Sequence, residues 1–503
     1  MWSDAFLTAL QSRSLRLEFR VEVVPVRWSG TGAADAPGEP WVACTSHHAA
    51  VGSGKWMRLQ SAPQVSGGVL TMQTWTASIG AASFTLAGDA TELLRCVPRG
   101  SFVRIWAGWQ GLAPSAYEQI WTGRVEQIRW EAGVWAVSCL DLGAALQSRP
   151  TRQVLYSQLF YGVGDTTTVG PTAYAVGDTT LEVASTVGFE RETGGRGAVL
   201  VEPASGSPFY LVWTASTATT LTVVDADYHG TTRHSAALGR PVSEVALLEG
   251  HPAHIALKVL TSTGTGTNGL YDLLPVSWGL GLPWGLIDLA DVGRTVAVVG
   301  AEDMDWQVIV SDQVDDGYAW LRGLLSLGGL YLTTHHGRLT IRAVESPSAR
   351  TAYQTWRLRA SDVVDARLAY DPYSDDVPTE YADTTVESAT GQTSSTFSIS
   401  SETLPMSPLQ TRDLSSVIWA TESDQRDGLL SRLEAWDRRV PERLSWEAPM
   451  RWAAAAVGDR VVVELDGLPS RFGSLFGREG MITSIDVDWN LYRVSVVVQI
   501  SPP

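Results

Sequence analysis

Lysine is nearly missing from this chain: Lys55 and Lys258 are the only two in 503 residues, and the other basic side chains are arginines. A GC-rich coding sequence, which disfavours lysine codons, accounts for that bias. Charge of any sign is scarce at 18% of residues, which excludes the long charged helix faces of an α-rich protein. What charge there is leans one way. With 54 acidic residues against 37 basic, the net charge of −17 argues against general nucleic-acid binding, which needs a basic surface to displace counterions. The three cysteines, Cys44, Cys96 and Cys139, lack metal-ligand spacing and leave one unpaired in any disulfide scheme. No run of about 18 apolar residues occurs, so no membrane-spanning helix is expected. Residues Met1–Phe6 lack the basic and apolar regions of a signal peptide, and folding in a cytoplasm is expected.

What is present points to strands. The apolar share of 44%, with 47 glycines and 24 prolines, fits a folded protein of strands and turns, and the length suggests three or four domains. One segment occurs twice, about three-quarters of the chain apart. The first copy runs Gly100–Ile105, then Gly123–Trp130, and closes on Val134–Cys139; the second runs Gly458–Val463, then Gly480–Val487, and closes on Leu491–Val496. From Gly123/Gly480 to Cys139/Val496 the copies align without a gap. Each reads as three strands with alternating Val and Ile. This places Cys139 in register with Val496 as a small core residue. Repeats this far apart cannot stack as a solenoid. They suggest two related β-barrels with other material between them.

The remaining segments fill in the outline. Ser3 caps a short helix through about Arg13. Residues Ser29–Pro40 read as a loop, and Pro171–Val242 as a compact β module with strands at Val176–Val183 and Thr220–Val224. His251–Leu260 is helix-favouring, with Pro252 in its first turn. A helix over Asp316–Leu327 stops at Gly328-Gly329 and leads into a hairpin, Leu330–Thr334 and Arg338–Arg342, around the turn His335-His336-Gly337. Residues 385–404, rich in Ser and Thr without a period, read as a flexible loop, and Asp424–Arg438 as a third helix.

Several of these passages resemble the tail hub proteins of long-tailed bacteriophages and related tail-like particles. They are Gly458–Val463 with Gly480–Ile485, and Leu324 through His335-His336-Gly337 to Ile341. Gly250–Ser262 with Gly266–Asp272 resembles the linker of such hubs, and Thr217–Val223 with Gly230–Val242 a small β insertion of phage structural proteins. The resemblance implies a mainly β fold with minor helices: two hub-type β-barrels plus inserted small β and α/β modules. Its domains would be a first barrel at 1–150, a linker and small β module at 151–243 and a helical connection at 244–300. A second, discontinuous barrel would occupy 301–350 and 450–503, around an α/β module with the Ser/Thr-rich loop at 351–449. The implied assembly is a homotrimer whose six barrels dock on a hexameric tail tube or distal tail protein, with a tip or fibre protein on the threefold side. A tape-measure protein would be a further partner, and DNA would pass without specific binding. Location at the virion tail tip follows, with an acidic inner wall to the channel. No stretch looks like an appended lysozyme or peptidase, so no wall-cutting activity is expected.

Catalytic, cofactor-binding and metal-binding residues are all read as none. Gly264, Gly266 and Gly269 match a dinucleotide-loop pattern, but a helix precedes them and no cradle-forming helix follows. His47-His48 and His335-His336 are adjacent and, in strands, would face opposite ways. Asp225, Asp227 and His229 alternate and could approach a cation, yet they read better as residues before a turn. Glu302, Asp303 and Asp305, and Asp371, Asp375 and Asp376, could in principle supply a glycosidase pair; solvated loop carboxylates explain them better. Trp106, Trp109, Trp121, Trp130 and Trp135 crowd the first repeat at positions that suggest both faces are covered, and so a neighbouring domain or subunit. The rival readings are a tail adhesin binding host glycan through Trp-rich loops and, third, a glycan-cleaving tail enzyme.

Overall fold

Both copies of the repeat fold into the same three-stranded unit. In the first, strands Cys96–Trp109, Glu118–Glu131 and Val134–Asp141 pair antiparallel in order. In the second, the strands are Arg460–Val463, Glu479–Asp488 and Arg493–Ile500. The registers coincide, with Val103 opposite Gly123 and Val461 opposite Gly480. Each middle strand then carries a β-bulge at the same place, at Glu126 after Val125 and at Thr483 after Ile482. A bulge adds one residue and bends the strand, so its presence in both copies marks a shared backbone and not a coincidence of pattern. The computed structural model describes residues 2–10, 16–28, 34–35, 41–46, 56–66, 68–71, 76–78, 80–88, 96–142, 159–160, 163–228, 231–299, 306–345, 353–372, 380–387, 391–398, 411–413, 419–420, 432 and 442–500.

Gly123 and Gly480 are required by close approach. A Cβ on Gly123 would lie 2.1 Å from the Leu140 carbonyl oxygen and 2.2 Å from the Trp121 ring. On Gly480 it would lie 2.5 Å from Val498 and 2.7 Å from the Gln499 carbonyl oxygen.

The copies part at the closing turn. Ala132 and Gly133, both at positive φ, make a two-residue turn, whereas Trp489–Tyr492 make a four-residue one between the paired residues Asp488 and Arg493. The gapless alignment to Cys139/Val496 therefore breaks at the turn. Val125 pairs with Cys139 and Ile482 with Val498, so Val498, not Val496, is the counterpart of Cys139. A slip of two residues returns each side chain to its own face and leaves no mark on an alternating pattern. The longer turn is put to use: Trp489, 3% exposed, lies edge-on to Phe19 of the first barrel with ring centroids 5.6 Å apart.

The first unit belongs to a closed seven-stranded barrel. Around it run Leu17–Trp28, Cys96–Trp109, Glu118–Glu131, Val134–Asp141, Ala82–Ala87, Trp56–Leu59 and Trp41–Cys44, which returns to the first strand. Alternation in Ala82–Ala87 turns Ala82, Phe84 and Leu86 inward to the core that holds Val103, Ile105, Val137 and Cys139, all buried. The second unit sits in a half-barrel, flanked on one side by Thr355–Leu358 and on the other by Glu442–Pro449 and Leu368–Asp371. A short antiparallel seam, Val487 opposite Val65 and Ser484 opposite Val69, stitches the two together over one apolar core.

Between them a further sheet runs Thr166–Thr168, Pro241–Gly250, Gly197–Val201, Phe209–Ser216, Thr220–Tyr228 and Thr180–Glu182, with its own core of Leu181, Val199, Leu211, Trp213 and Leu221. Only Thr180–Glu182 of the expected strand Val176–Val183 is strand; Gly177 takes φ 104° and Val176 is exposed. The far half of Pro241–Gly250 leaves the module and pairs with Trp306–Val310.

The expected helices are Asp4–Leu10, Pro252–Thr261 and Gly317–Leu327, with the side chains of Ser3, His251 and Asp316 accepting N–H bonds at their starts. Helix Leu289–Val299 goes beyond the expected set, although Leu289, Val292, Val296 and Val299 have helical spacing. The Ser/Thr-rich stretch is not a loop where described. Glu380–Glu387 and Gly391–Ser398 pair antiparallel, since β-branched threonines favour strands without apolar alternation. Residues 388–390, residues 399–404 and the expected third helix lie outside the described residues, except that Arg432 is helical.

Substitution and deletion probe this architecture. Gly123→Ala and Gly480→Ala should each lower stability by about 1–3 kcal/mol in thermal denaturation. Gly293→Ala, in a helix with open space around it, should be neutral or stabilising. Replacing 167–242 by a short turn, at a point where Thr166 and Ser243 are already partners, should leave the rest melting cooperatively. Loss of cooperative melting would refute independence of the module.

Candidate functional site

A buried polar network lies where the two barrel units meet. Hairpin strands Leu330–His335 and Arg338–Ala343 turn at His336-Gly337, both at positive φ. The hairpin acts as a strut, with its tip on the first barrel and its second strand on the half-barrel. At the tip, Gln119 Nε2 donates to the Gly337 carbonyl at 2.9 Å, and Trp2 Nε1 donates to the Gln119 carbonyl at 2.9 Å. A Cβ on Gly337 would come within 2.7 Å of the Trp121 amide nitrogen, so glycine lets the tip seat.

Arg342, 1% exposed, anchors the other end. Its Nε donates to Asp291 Oδ2 at 2.7 Å and its Nη2 to Asp291 Oδ1 at 3.2 Å. Its Nη1 donates to Asp459 Oδ1 at 2.9 Å and to the Val457 carbonyl at 2.8 Å. Asp291 also accepts from Thr340 Oγ1 at 3.0 Å, and Asp459 from Trp356 Nε1 at 3.0 Å and the Ala456 amide at 3.0 Å. Burial pushes the Asp291 carboxyl up, but the Arg342 charge and hydrogen bonds outweigh it and hold it below its ordinary value. Burial works against the Arg342 charge too, and the two carboxylates more than offset it, raising Arg342 well above its ordinary value. Asp291 comes from helix Leu289–Val299 and Asp459 from the repeat itself, so one guanidinium ties helix, hairpin and half-barrel.

Beside it, Asp288 Oδ1 accepts the Asp291 amide at 3.1 Å and Oδ2 meets His335 Nδ1 at 2.7 Å. Burial acts to raise this carboxyl, and the hydrogen bond and charge of His335 override it, holding it well below the carboxylate range. His336 lies in the expected turn and not in a strand, so the two rings do not face apart: the positive φ swings His336 round and their centroids lie 3.8 Å from each other. Burial and the neighbouring His335 charge push His336 down to about 2, so it is a neutral ring, stacked on Trp2 at 4.9 Å. A cavity of about 380 Å³ opens here, lined in part by Trp2, Gln119, Trp284, Asp288, His336 and Arg338.

The other candidates do not converge on this junction. Gly264, Gly266 and Gly269 lie in a loop folded around Asp272, whose carboxylate accepts from the Thr263 amide at 2.6 Å and the Asn268 amide at 2.8 Å. These N–H groups, which a phosphate would need, are taken. Asp225 faces Arg196 at 3.8 Å; the Asp227 side chain and His229 lie outside the described residues. So do His47, His48, Glu302, Asp303, Asp305, Asp375 and Asp376, while Asp371 ends a half-barrel strand. Among the described residues no group of three His, Cys, Asp or Glu could hold a metal, and no helix is long and apolar enough to cross a membrane. Trp121 is buried, and Trp106, Trp109 and Trp135 are partly so, but Trp130 is 55% exposed. Sequence reasoning misses the junction: Arg342 and Asp291 carry no motif, and Asp459 reads only as part of the repeat.

No known protein family and no curated protein matches this sequence. Solved structures do show likeness. A tail protein from Neisseria meningitidis is 9% identical with a TM-score of 0.32, over 88% of this chain and 95% of that one. The 43 kDa tail protein of prophage MuSo2 from Shewanella oneidensis is 10% identical with a TM-score of 0.34, over 96% and 98%. A prophage tail protein from Listeria monocytogenes is 9% identical with a TM-score of 0.36, over 96% and 94%. At such identities and scores a likeness carries no argument about function.

Asp291→Ala should cost about 3–5 kcal/mol, since it leaves Arg342 buried against a single carboxylate. The pH dependence has a definite sign. Asp288 and Asp291 are depressed in the folded state, so their stabilisation is present above about pH 4 and lost as pH falls through their lowered values. Glu244 behaves the opposite way: burial, with the charges of Glu190 and Asp165, pushes it up to about 8. Its contribution is full below the ordinary carboxylate range and is lost as pH rises towards about 8. Melting curves of Glu244→Gln should therefore show a smaller fall in stability from about pH 5 to about pH 8 than the unmodified chain.

Proposed function

We propose that this chain is a structural hub of a phage tail tip or related tail-like particle, three copies of which close into a ring. The observation that carries the reading is the separated repeat, whose copies share register, bulge and close-approach glycine. Three chains with two such units each supply six similar units, enough to meet a hexameric tail tube or distal tail protein. The opposite face stays threefold and takes a tip or fibre protein. Duplication thereby resolves a symmetry mismatch.

In this reading residues 1–150 are the first hub barrel, and the half-barrel that includes 450–503 is the second. Residues 151–243 are a linker with an inserted small β module, peripheral over 171–242, and 244–300 join the two. The Arg342 junction serves as the device that fixes one barrel against the other, a requirement for any ring whose units must be evenly spaced. The hub lines a channel through which DNA passes during ejection, and the tape-measure protein ends on it. An acidic excess of 54 over 37 suits such a wall, because like charges repel and arginines directed inward would hold phosphates. The role calls for no catalytic residue, metal or cofactor.

Mass photometry of the purified chain and electron microscopy of the tail particle test this. Trimers with six barrel densities around the tail axis, and more Asp and Glu than Arg on the inner wall, are expected. A stable monomer within assembled tails, or one barrel density per subunit, would overturn the ring; an arginine-rich wall would overturn the channel.

A further inference from the structure

The two copies of the repeat present the same strand edge, and among the described residues a strand of the chain pairs with that edge in the second copy and not in the first. In the second copy the edge is Ser484–Val487, beyond the reach of the short neighbouring strand Arg460–Val463, and Val65 and Val69 of the first barrel pair with it. The corresponding edge of the first copy is Gln127–Trp130. Its neighbour Cys96–Trp109 stops pairing at Arg124, opposite Phe102. Beyond that, among the described residues, Gln127–Glu131 pair only with strand Val134–Asp141. On this edge Trp130 is 55% exposed, its ring 4.9 Å from that of Trp135. An aromatic pair on an unpaired edge is a ready template for another strand.

The repeat also says which strand. Cys139 pairs with Ala82, and its counterpart Val498 with Leu444, so Ala82 and Leu444 correspond. Ala82 pairs in turn with Val65, and Leu444 with Tyr370. Val65 therefore corresponds to Tyr370, and Ser66 to Asp371. Among the described residues, the strand that pairs with Leu368–Asp371 is Glu442–Pro449, and Ala369 and Asp371 are exposed. Within the chain Val65 lies opposite Val487, whose counterpart is Trp130. The same geometry between chains sets Tyr370 of one copy opposite Trp130 of another, and Asp371 opposite Arg129. The second pair is complementary in charge, although the positions it replaces, Ser66 and Asp486, are not.

We infer that the edge Gln127–Trp130 docks on the strand Leu368–Asp371 of a second copy of this chain, repeating between subunits the seam that Val487 and Val65 make within one. The contact joins unlike surfaces, so it propagates head to tail and closes when the rotation permits. It rests on the ring reading and specifies its interface.

Size measurements on variants of the full chain test it. Trp130→Glu should raise the concentration needed for assembly at least about thirtyfold, as loss of a central aromatic anchor does, with the melting curve of the subunit unchanged. Arg129→Asp should weaken assembly, and Asp371→Arg added to it should restore it. Arg129→Cys with Asp371→Cys should give disulfide-linked oligomers on a non-reducing gel, a readout that stands even where Trp130→Glu fails to fold. If the unmodified chain forms trimers while these variants assemble equally well and the cysteines do not link, this surface is wrong and the ring survives. An unmodified chain that stays monomeric sinks the ring and the interface together. Loss of glycan binding in Trp130→Glu with assembly intact would assign the aromatic pair to a sugar and refute the inference.

Discussion

Arg342 lies between the two barrels with no solvent to fall back on, so its charge is tolerable only while Asp291 and Asp459 are both in place. These carboxylates come from a linker helix and from the second copy of the repeat, far apart in sequence. Hydrophobic contact alone would let two apolar surfaces slide over each other. A bidentate pair on one side and a second carboxylate with a backbone carbonyl on the other admit one arrangement. The hairpin that carries Arg342 also seats its tip on the first barrel through Gln119, so the position of one barrel sets that of the other.

The seam between the barrels adds a second restraint of a different kind. Main-chain pairing of Val487 with Val65 aligns the two sheets, and Trp489 locks into the first barrel beside Phe19. The four-residue turn makes this possible. Its counterpart in the first copy, Ala132-Gly133, has no side chain long enough to reach a neighbour. The two copies have thus kept the backbone that makes the unit and changed the turn that decides what the unit touches.

The sequence displays the unit but not its connections. Alternating Val and Ile, with a glycine where a Cβ would strike a carbonyl, are local signals, and they place the strands around Gly123 and Gly480 correctly. The hairpin at Leu330–Ala343 is legible for the same reason: a helix stop at Gly328, then a turn at His336-Gly337. The two-residue slip after the second turn is invisible because it preserves the faces. The Ser/Thr-rich strands at Glu380–Glu387 and Gly391–Ser398 are hidden because their pairing relies on backbone and β-branching, without an apolar period. The junction is hidden for a third reason. Asp291, Arg342 and Asp459 are ordinary residue types separated by 51 and 117 positions, and only the fold brings them together.

The scarcity of lysine acquires a physical side once the arginines are placed. A coding sequence poor in lysine codons would put arginine at most basic positions whatever their role, but some positions could hold nothing else. Arg342 uses three nitrogens in a fixed plane to reach two carboxylates and a carbonyl, which a single ammonium on a flexible stem cannot match. Across the half-barrel, Arg357 and Arg359 both bind Glu464, and Arg367 and Arg493 both bind Glu447. These exposed pairs contribute little each. They nevertheless engage arginines on or beside the half-barrel strands with carboxylates of the same chain. In the proposed hub, pairing these four arginines within the chain would keep their guanidinium groups from holding DNA in the channel.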